Sequence, residues 1–267
     1  MVDSRSDSGT ESGRSAAVLA VVNQKGGVGK STTAVNLSAS LAELGSKVLL
    51  VDLDPQGNAT SGYGLDKNRR ERCIYDALLG DVPIDELVVP VEIEGVFVVP
   101  STIQLAGAEI ELVSVFSRET RLKTVLKPIL GDFDFVIIDC PPSLGLLTIN
   151  ALTASDGVLI PVQCEYYALE GLTKLLETVR LVKTQLNKDL DVFGVVMTMY
   201  DRRTRLSQQV ADEVRDFFGE RIFETLIPRS VRLSEAPSFG QPGTLYDPTG
   251  RGTDAYRRLA KEVVARV

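Results

Sequence analysis

Histidine is absent from the 267 residues. Its absence removes any catalytic triad or general base built on imidazole and any histidine-ligated metal. Long apolar runs are missing too: no stretch approaches the roughly 18–20 consecutive apolar residues of a membrane span. The N-terminus, MVDSRSDSGTESGRSA, lacks the apolar segment of a signal peptide. Residues 1–16 therefore read as a disordered tail, and the protein as cytoplasmic. Cysteine is scarce. Cys73, Cys140 and Cys164 stand far apart without metal-ligand spacing, and the last two end apolar runs, as reduced core thiols do. Basic charge is in deficit, 29 Lys+Arg against 36 Asp+Glu for a net −7, which argues against a globally basic nucleic-acid binder. The deficit is uneven. Residues 200–267 hold 12 Lys+Arg against 10 Asp+Glu, so they carry +2 and the remainder −9. Any DNA contact has to be a local arginine patch in the C-terminal third.

What is present has an ordinary soluble balance, 44% hydrophobic and 24% charged, over a length that suits one α/β domain. From residue 17 onward, apolar β-rich runs alternate with helical patterns. AVLAVVN, KVLLVDLDP, VFVVPS, FDFVIIDCPP, GVLIPVQ, VFGVVMTMY and RIFETLIP read as strands. KSTTAVNLSASLAELG, stopped by Gly45, reads as a helix, as do CIYDALLG, LAGAEIELV, RETRLKTVLKPIL, residues 145–155, LSQQVADEVRDFFG and the C-terminal TDAYRRLAKEVVARV. A further helix carries Ala168, Leu172, Leu175, Val179, Val182 and Leu186 as one apolar stripe. Strands alternating with helices, each strand continuously apolar, predict a doubly wound, mostly parallel sheet with helices on both faces. No linker or repeat divides residues 17–267, which read as a single domain.

The stretch NQKGGVGKSTT follows the first strand and opens the first helix. Glycines there let the backbone approach phosphates, and the helix N-terminus adds attraction. Gly26, Gly27, Val28 and Gly29 form the cradle, with Lys30 placed for the β- and γ-phosphates, Ser31 for Mg²⁺ and Thr32 beside it. The strict P-loop spacing fails, because its first glycine falls on Gln24; Lys25 follows directly. VIIDCPP ends an apolar strand in Asp139, a candidate metal acid whose alternative is a cap for the turn before Pro141. In VLLVDLDPQGN, Asp52 and Asp54 lie two apart and share one side of an extended strand, facing the crevice at its carboxyl end. The alternative for Asp54 is an ordinary Asp-Pro turn. Arg202, Arg203 and Arg205 crowd MYDRRTRLS, and Arg229 and Arg232 flank a turn in IPRSVRLSEAP; such arginines can contact phosphates or simply decorate the surface.

KGGVGKS is the deviant Walker A form, and with it the sequence resembles the ParA/MinD-type P-loop ATPases. DLDPQGNATSG, TIQLAGAEIELV, DCPPSLGLLTINAL, PVQCEYYALEGL and IPRSVRLSEAPSFG extend the resemblance over nearly all of residues 17–267, toward the Soj/ParA chromosome-partitioning branch. That resemblance implies ATP and Mg²⁺ as cofactors and an ATP-sandwich homodimer in which Lys25 reaches the phosphates of the opposite subunit. It implies Asp54 as the catalytic acid that orients water, with Ser31, Asp52 and Asp139 around the metal. It places Pro228 and Ser230 at the adenine, and Arg203 and Arg232 on double-stranded DNA bound without sequence preference. A centromere-binding ParB-type protein would stimulate hydrolysis, and the protein would work on the nucleoid. A MinD-like membrane-cycling ATPase is the alternative, since Tyr256, Leu259, Ala260, Val263 and Val264 form a stripe on the last helix. Iron–sulfur relatives of the same loop need paired cysteines. Cys140 follows Asp139 but has no second cysteine in a suitable loop.

Overall fold

A computed structural model describes residues 16–80, 82–165 and 171–267. The expected tail thus lies outside the described residues except for Ala16, which is buried and donates its N–H to the Leu130 carbonyl. Ala168 of the expected stripe also lies outside them.

The elements run β1 (Ala17–Val21), α1 (Lys30–Glu43), β2 (Val48–Asp52), α2 (Asn58–Gly62), α3 (Ile74–Leu79), β3 (Val89–Pro90), β4 (Val96–Val99), α4 (Leu105–Glu111), α5 (Arg121–Leu126) and β5 (Phe135–Asp139). They continue α6 (Leu146–Ala154), β6 (Gly157–Gln163), α7 (Leu172–Gln185), β7 (Asp191–Tyr200), α8 (Arg205–Phe218), β8 (Ile222–Pro228), α9 (Val231–Glu235), α10 (Gly243–Tyr246) and α11 (Arg251–Arg266). The strands form one sheet in the order β3-β4-β2-β5-β1-β6-β7-β8. Every pairing is parallel except β3 with β4. The two-residue β3 was not read from sequence. Its Pro90 lacks an N–H and is tolerated there because β3 is an edge strand.

Alternate residues of each strand enter opposite layers, which is why the strands are continuously apolar. In β1, Val18 and Ala20 join a core formed with α3 through α8, while Leu19 and Val21 join a second core with α1 and α11. Helix α1 is buried almost all round, so its polar residues need internal partners. Ser38 donates to the Ala34 carbonyl at 2.7 Å, and the Thr33 hydroxyl pairs with that of the fully buried Tyr256 at 3.1 Å. Tyr256, Leu259, Ala260 and Val263 of α11 are all buried in this second core, leaving Val264 exposed.

Strands β1, β2 and β5 therefore end side by side in mid-sheet. The connection from β1 runs to β2 on one side of it, whereas that from β5 crosses to β6 on the other, and the crevice outside the carboxyl ends at such a reversal is where these folds bind ligands.

Candidate nucleotide and metal site

The glycine loop leaves β1 and turns directly into α1. Gly27 and Gly29 have φ of 76° and 91°, which a residue bearing a Cβ adopts only under strain, and the space a Cβ would take at Gly26 or Gly27 is open. Gly29 is the N-cap of α1 and offers no side chain, and no acid sits in the first turn. The helix thus presents its first N–H groups, uncapped, to an anion. Two residues outside the recognised pattern hold the loop. Asn23 accepts the Lys25 N–H at 3.0 Å and donates to the Pro161 carbonyl at 2.7 Å, and Thr198 donates its hydroxyl to the Val28 carbonyl at 2.7 Å. Beside the loop lies a cavity of about 410 Å³, walled by Gly26, Lys30, Ser31, Asp54, Pro142 and Met199 among others. Met199 holds φ of 52°, a conformation uncommon for a side-chain-bearing residue and concentrated at functional sites.

Lys30 is buried, and its ammonium donates to the Lys25 carbonyl at 3.2 Å. Burial lowers its pKa, opposed by the negative charges of Asp139 and Asp54. Asp52 and Asp139 are register partners on adjacent strands, both fully buried. Their surroundings differ. One Asp52 oxygen accepts the Thr60 N–H and hydroxyl, each at 2.7 Å, and the other accepts the Asp54 N–H at 3.0 Å. The Thr60 hydroxyl in turn accepts the Ser101 N–H at 2.9 Å. Neither oxygen of Asp139 has a hydrogen-bond partner. The Ser31 hydroxyl stands close enough to favour the charged form without bonding in ordinary geometry. Burial, then the neighbouring charge of Asp52, pushes the Asp139 carboxyl well above the usual range. Burial likewise raises Asp52, to about 6, against the hydrogen bonds from Thr60 and Asp54.

An orphaned, buried carboxylate next to a hydroxyl is the donor set a hard divalent cation takes. Asp139 and Ser31 fit Mg²⁺. Asp52 fits less directly, because both its oxygens are already engaged by the loop that follows it. Its position makes it the anchor of the Asp54–Thr60 segment, within which Asp54 accepts the Gln56 N–H at 2.9 Å. Cys140 is buried beside Asp139, and burial with that charge raises its thiol pKa, so it stays an inert thiol. No group of three or more metal-ligating side chains occurs among the described residues.

Three of the expected residues do not line this cavity. Lys25 is exposed and does not line the cavity. Pro228 and Ser230 also lie outside its wall, and the Ser230 hydroxyl accepts the Leu233 N–H at 3.3 Å as the N-cap of α9. Ala236, Pro237 and Gln241 line the cavity instead. The two arginine stretches do converge. Tyr200 and Pro228 are register partners at the ends of β7 and β8, and the Arg229 N–H bonds the Tyr200 carbonyl. Three of these arginines are paired locally. Arg203 grips both oxygens of Asp201 at 3.0 and 2.8 Å, holding that carboxyl down at about 2, while Arg229 meets Glu165 and Arg232 meets Glu235.

A family model described as an AAA domain matches residues 16–192. Sporulation initiation inhibitor protein Soj of Bacillus subtilis is 60% identical over 248 residues, covering 93% of this chain and 98% of the relative. Chromosome partitioning protein ParA of Myxococcus xanthus is 53% identical over 249 residues, covering 93% and 88%. A solved structure of cobyrinic acid a,c-diamide synthase from Mycobacterium smegmatis, with bound ADP and magnesium, matches with a TM-score of 0.83 at 41% identity, covering 93% of this chain and 94% of that one. No helix among the described residues is long and apolar enough to cross a membrane. The chain belongs to the Soj/ParA family of chromosome-partitioning ATPases, nucleotide-hydrolysing enzymes of the P-loop class.

Proposed function

We propose that the chain is a Mg²⁺-dependent ATPase whose ATP-bound homodimer grips double-stranded DNA without sequence preference and is released when a ParB-type protein stimulates hydrolysis. The observation that carries this reading is the unequal placement of the loop's two lysines. Lys30 is buried beside Asp139 and Asp54, whereas Lys25 is exposed and outside the cavity that its own loop forms. A cation held in a phosphate loop but outside its pocket can serve the pocket of a second copy, as a finger supplied in trans does. The partitioning names of relatives above 50% identity support the biological role, and the nucleotide and magnesium in the Mycobacterium smegmatis structure support the ligands. Partitioning rather than synthase chemistry is the role supported, because the partitioning relatives match the same span at higher identity.

In this reading the N–H groups of Gly26 to Thr32 hold the phosphate oxygens. Lys30 exchanges the Lys25 carbonyl for the β- and γ-phosphates. Asp54, at the cavity wall, holds the attacking water in line with the γ-phosphorus and draws on its proton as the bond to the β-phosphate oxygen breaks. Asp139 and Ser31 would hold Mg²⁺, which would supply positive charge against the phosphate oxygens. The partner's Lys25 would stabilise the charge on the transferring group. Arg203 and Arg232, near one sheet edge, would contact DNA phosphates, placing the dimer on the nucleoid. Membrane cycling is disfavoured by α11, whose apolar stripe is already buried in the core.

The test is duplex binding with ATP, ADP and no nucleotide, in parent and Lys25→Ala. Strong binding is expected with ATP alone, weakening steeply with salt. Lys25→Ala should bind ATP as a monomer and lose the duplex. A Lys25→Ala protein that dimerises, holds DNA and turns over ATP like the parent refutes the proposal.

A further inference from the structure

The peptide between Val28 and Gly29, in the phosphate loop, can face two ways. Turning it over exchanges the Gly29 N–H for the Val28 carbonyl and reverses the sign of φ at Gly29, which glycine accepts as readily as the observed 91°. One orientation offers an anion a hydrogen-bond donor; the other sets an oxygen against it. The loop's own sterics do not choose between them.

A residue of β7 does. The Thr198 hydroxyl donates to the Val28 carbonyl at 2.7 Å. Across a trans peptide, C=O and N–H point in opposite directions, so a carbonyl held on β7 turns the Gly29 N–H away from that strand. Gly29 lines the cavity, whereas Val28 and Thr198 are buried and do not. The hydroxyl is itself fixed. Thr198 pairs in register with Gln163 of β6, its carbonyl accepts the Cys164 N–H at 3.1 Å, and β-branching restricts its rotamers. Asn23, which also holds the loop, fixes a different peptide, the one before Lys25.

We propose that Thr198 is a positioning residue for phosphate binding, keeping the 28–29 peptide turned so that the Gly29 N–H meets the nucleotide. It touches no substrate atom and acts through Val28. Without the hydroxyl, the Val28 carbonyl is buried and loses this partner. Turning over toward the wet cavity relieves that cost, removes a donor from the cradle and puts an oxygen in its place. The inference rests on the reading of this loop as a nucleotide site.

Val28-Gly29 is the only Val-Gly pair in the sequence. Labelling with ¹³C-carbonyl valine and ¹⁵N-glycine therefore gives one carbonyl-to-amide cross-peak, from this peptide alone. In the parent, Mg²⁺ with ADP should move its amide proton downfield. Thr198→Val keeps the side chain's outline and removes the hydroxyl. Its carbonyl resonance should be displaced before any nucleotide is added, its amide proton should not follow the parent's shift, and affinity for ADP and ATP should fall about tenfold or more. Thr198→Ser keeps the hydroxyl and should restore shift and affinity. Thermal unfolding without nucleotide, run on all three proteins, separates positioning from scaffolding. A valine variant with a lowered Tm but the parent's affinity and amide shift overturns the proposal, as does a serine variant that behaves like the valine one. A parent that binds neither nucleotide overturns the nucleotide reading and this proposal together; a parent that binds both, with Thr198→Val its equal, overturns the proposal alone.

Discussion

A chain without histidine is nearly silent between about pH 5 and 7, where ordinary carboxylates are already charged and lysines not yet neutral. Against that background the buried acids of the metal site should be visible in the stability of the metal-free protein. Burial raises Asp52 from 3.8 to about 6. An acid with a raised folded pKa binds more protons when native than when unfolded, so its contribution favours folding at low pH. That contribution is complete below about 3.8 and is lost as pH rises through about 6. The gap is worth about 3 kcal/mol, of which about 1 kcal/mol falls between pH 5 and 7. For a domain of this size that lowers Tm by about 2–4 °C. Asp139, raised by burial and by Asp52, adds to the same slope. Surface acids held low, Asp201 and Glu119 by arginine and Asp191 by the Val192 N–H and then Lys183, run the opposite way but titrate below this window.

The assay is thermal unfolding in EDTA from pH 5 to 7, repeated with Mg²⁺ and a non-hydrolysable ATP analogue. Tm should fall with pH in EDTA. Ligand should flatten or reverse the slope, because a bound cation needs both acids charged. Asp139→Asn should lose part of the slope, exceed the parent's Tm at pH 7 in EDTA, and fail to turn over ATP. A metal-free parent whose Tm holds or climbs from pH 5 to 7 would refute the reasoning, since the acids would then not be buried without compensation.

Three other outcomes follow from the geometry. Asp54→Ala should abolish ATP turnover while nucleotide affinity stays within a few-fold, measured by single-turnover hydrolysis beside equilibrium binding. Thr60→Val removes a hydroxyl donor to a buried carboxylate and should cost about 1.5–3 kcal/mol by urea unfolding, with kcat falling more than the KM for ATP changes; Thr60→Ser should restore both. Asp201→Asn frees Arg203 from its bidentate partner and should tighten duplex binding several-fold at low salt, an effect that anisotropy should find erased by the further change Arg203→Glu.

The parts of the site legible in the sequence are those carried by neighbours in the chain. Gly26 to Ser31 sit at the junction of an apolar strand and a helix, and both the positive φ values and the uncapped helix start follow from that local pattern. Asp139 could be read because a buried strand has little reason to end in an acid. The supports could not be read. Thr198 meets Val28 across 170 positions, and no periodicity carries that pairing. Asp52 and Asp54 look equivalent in DLD, yet the return of α2 gives Asp52 the N–H and hydroxyl of Thr60 and leaves Asp139 bare. Ser230 and Arg203 show a third kind of opacity: each has a local partner, a helix N-terminus and Asp201, that competes with the external ligand the pattern suggests.

That competition bears on how the proposed nucleotide cycle would govern the proposed hold on DNA. At the buried end, a carboxylate with no partner and a lysine parked on a backbone carbonyl are left unmatched in a medium where mismatch is expensive, so nucleotide and cation have much to gain by entering. At the exposed end, Arg203, Arg229 and Arg232 already have acidic partners in water, and exchanging each for a phosphate changes little per contact. A grip built from such near-neutral exchanges needs several at once, and doubling the surface in a dimer doubles their number. DNA affinity would then respond far more steeply to dimerisation than to any single arginine, and loss of the γ-phosphate, by ending the dimer, would suffice to let the duplex go.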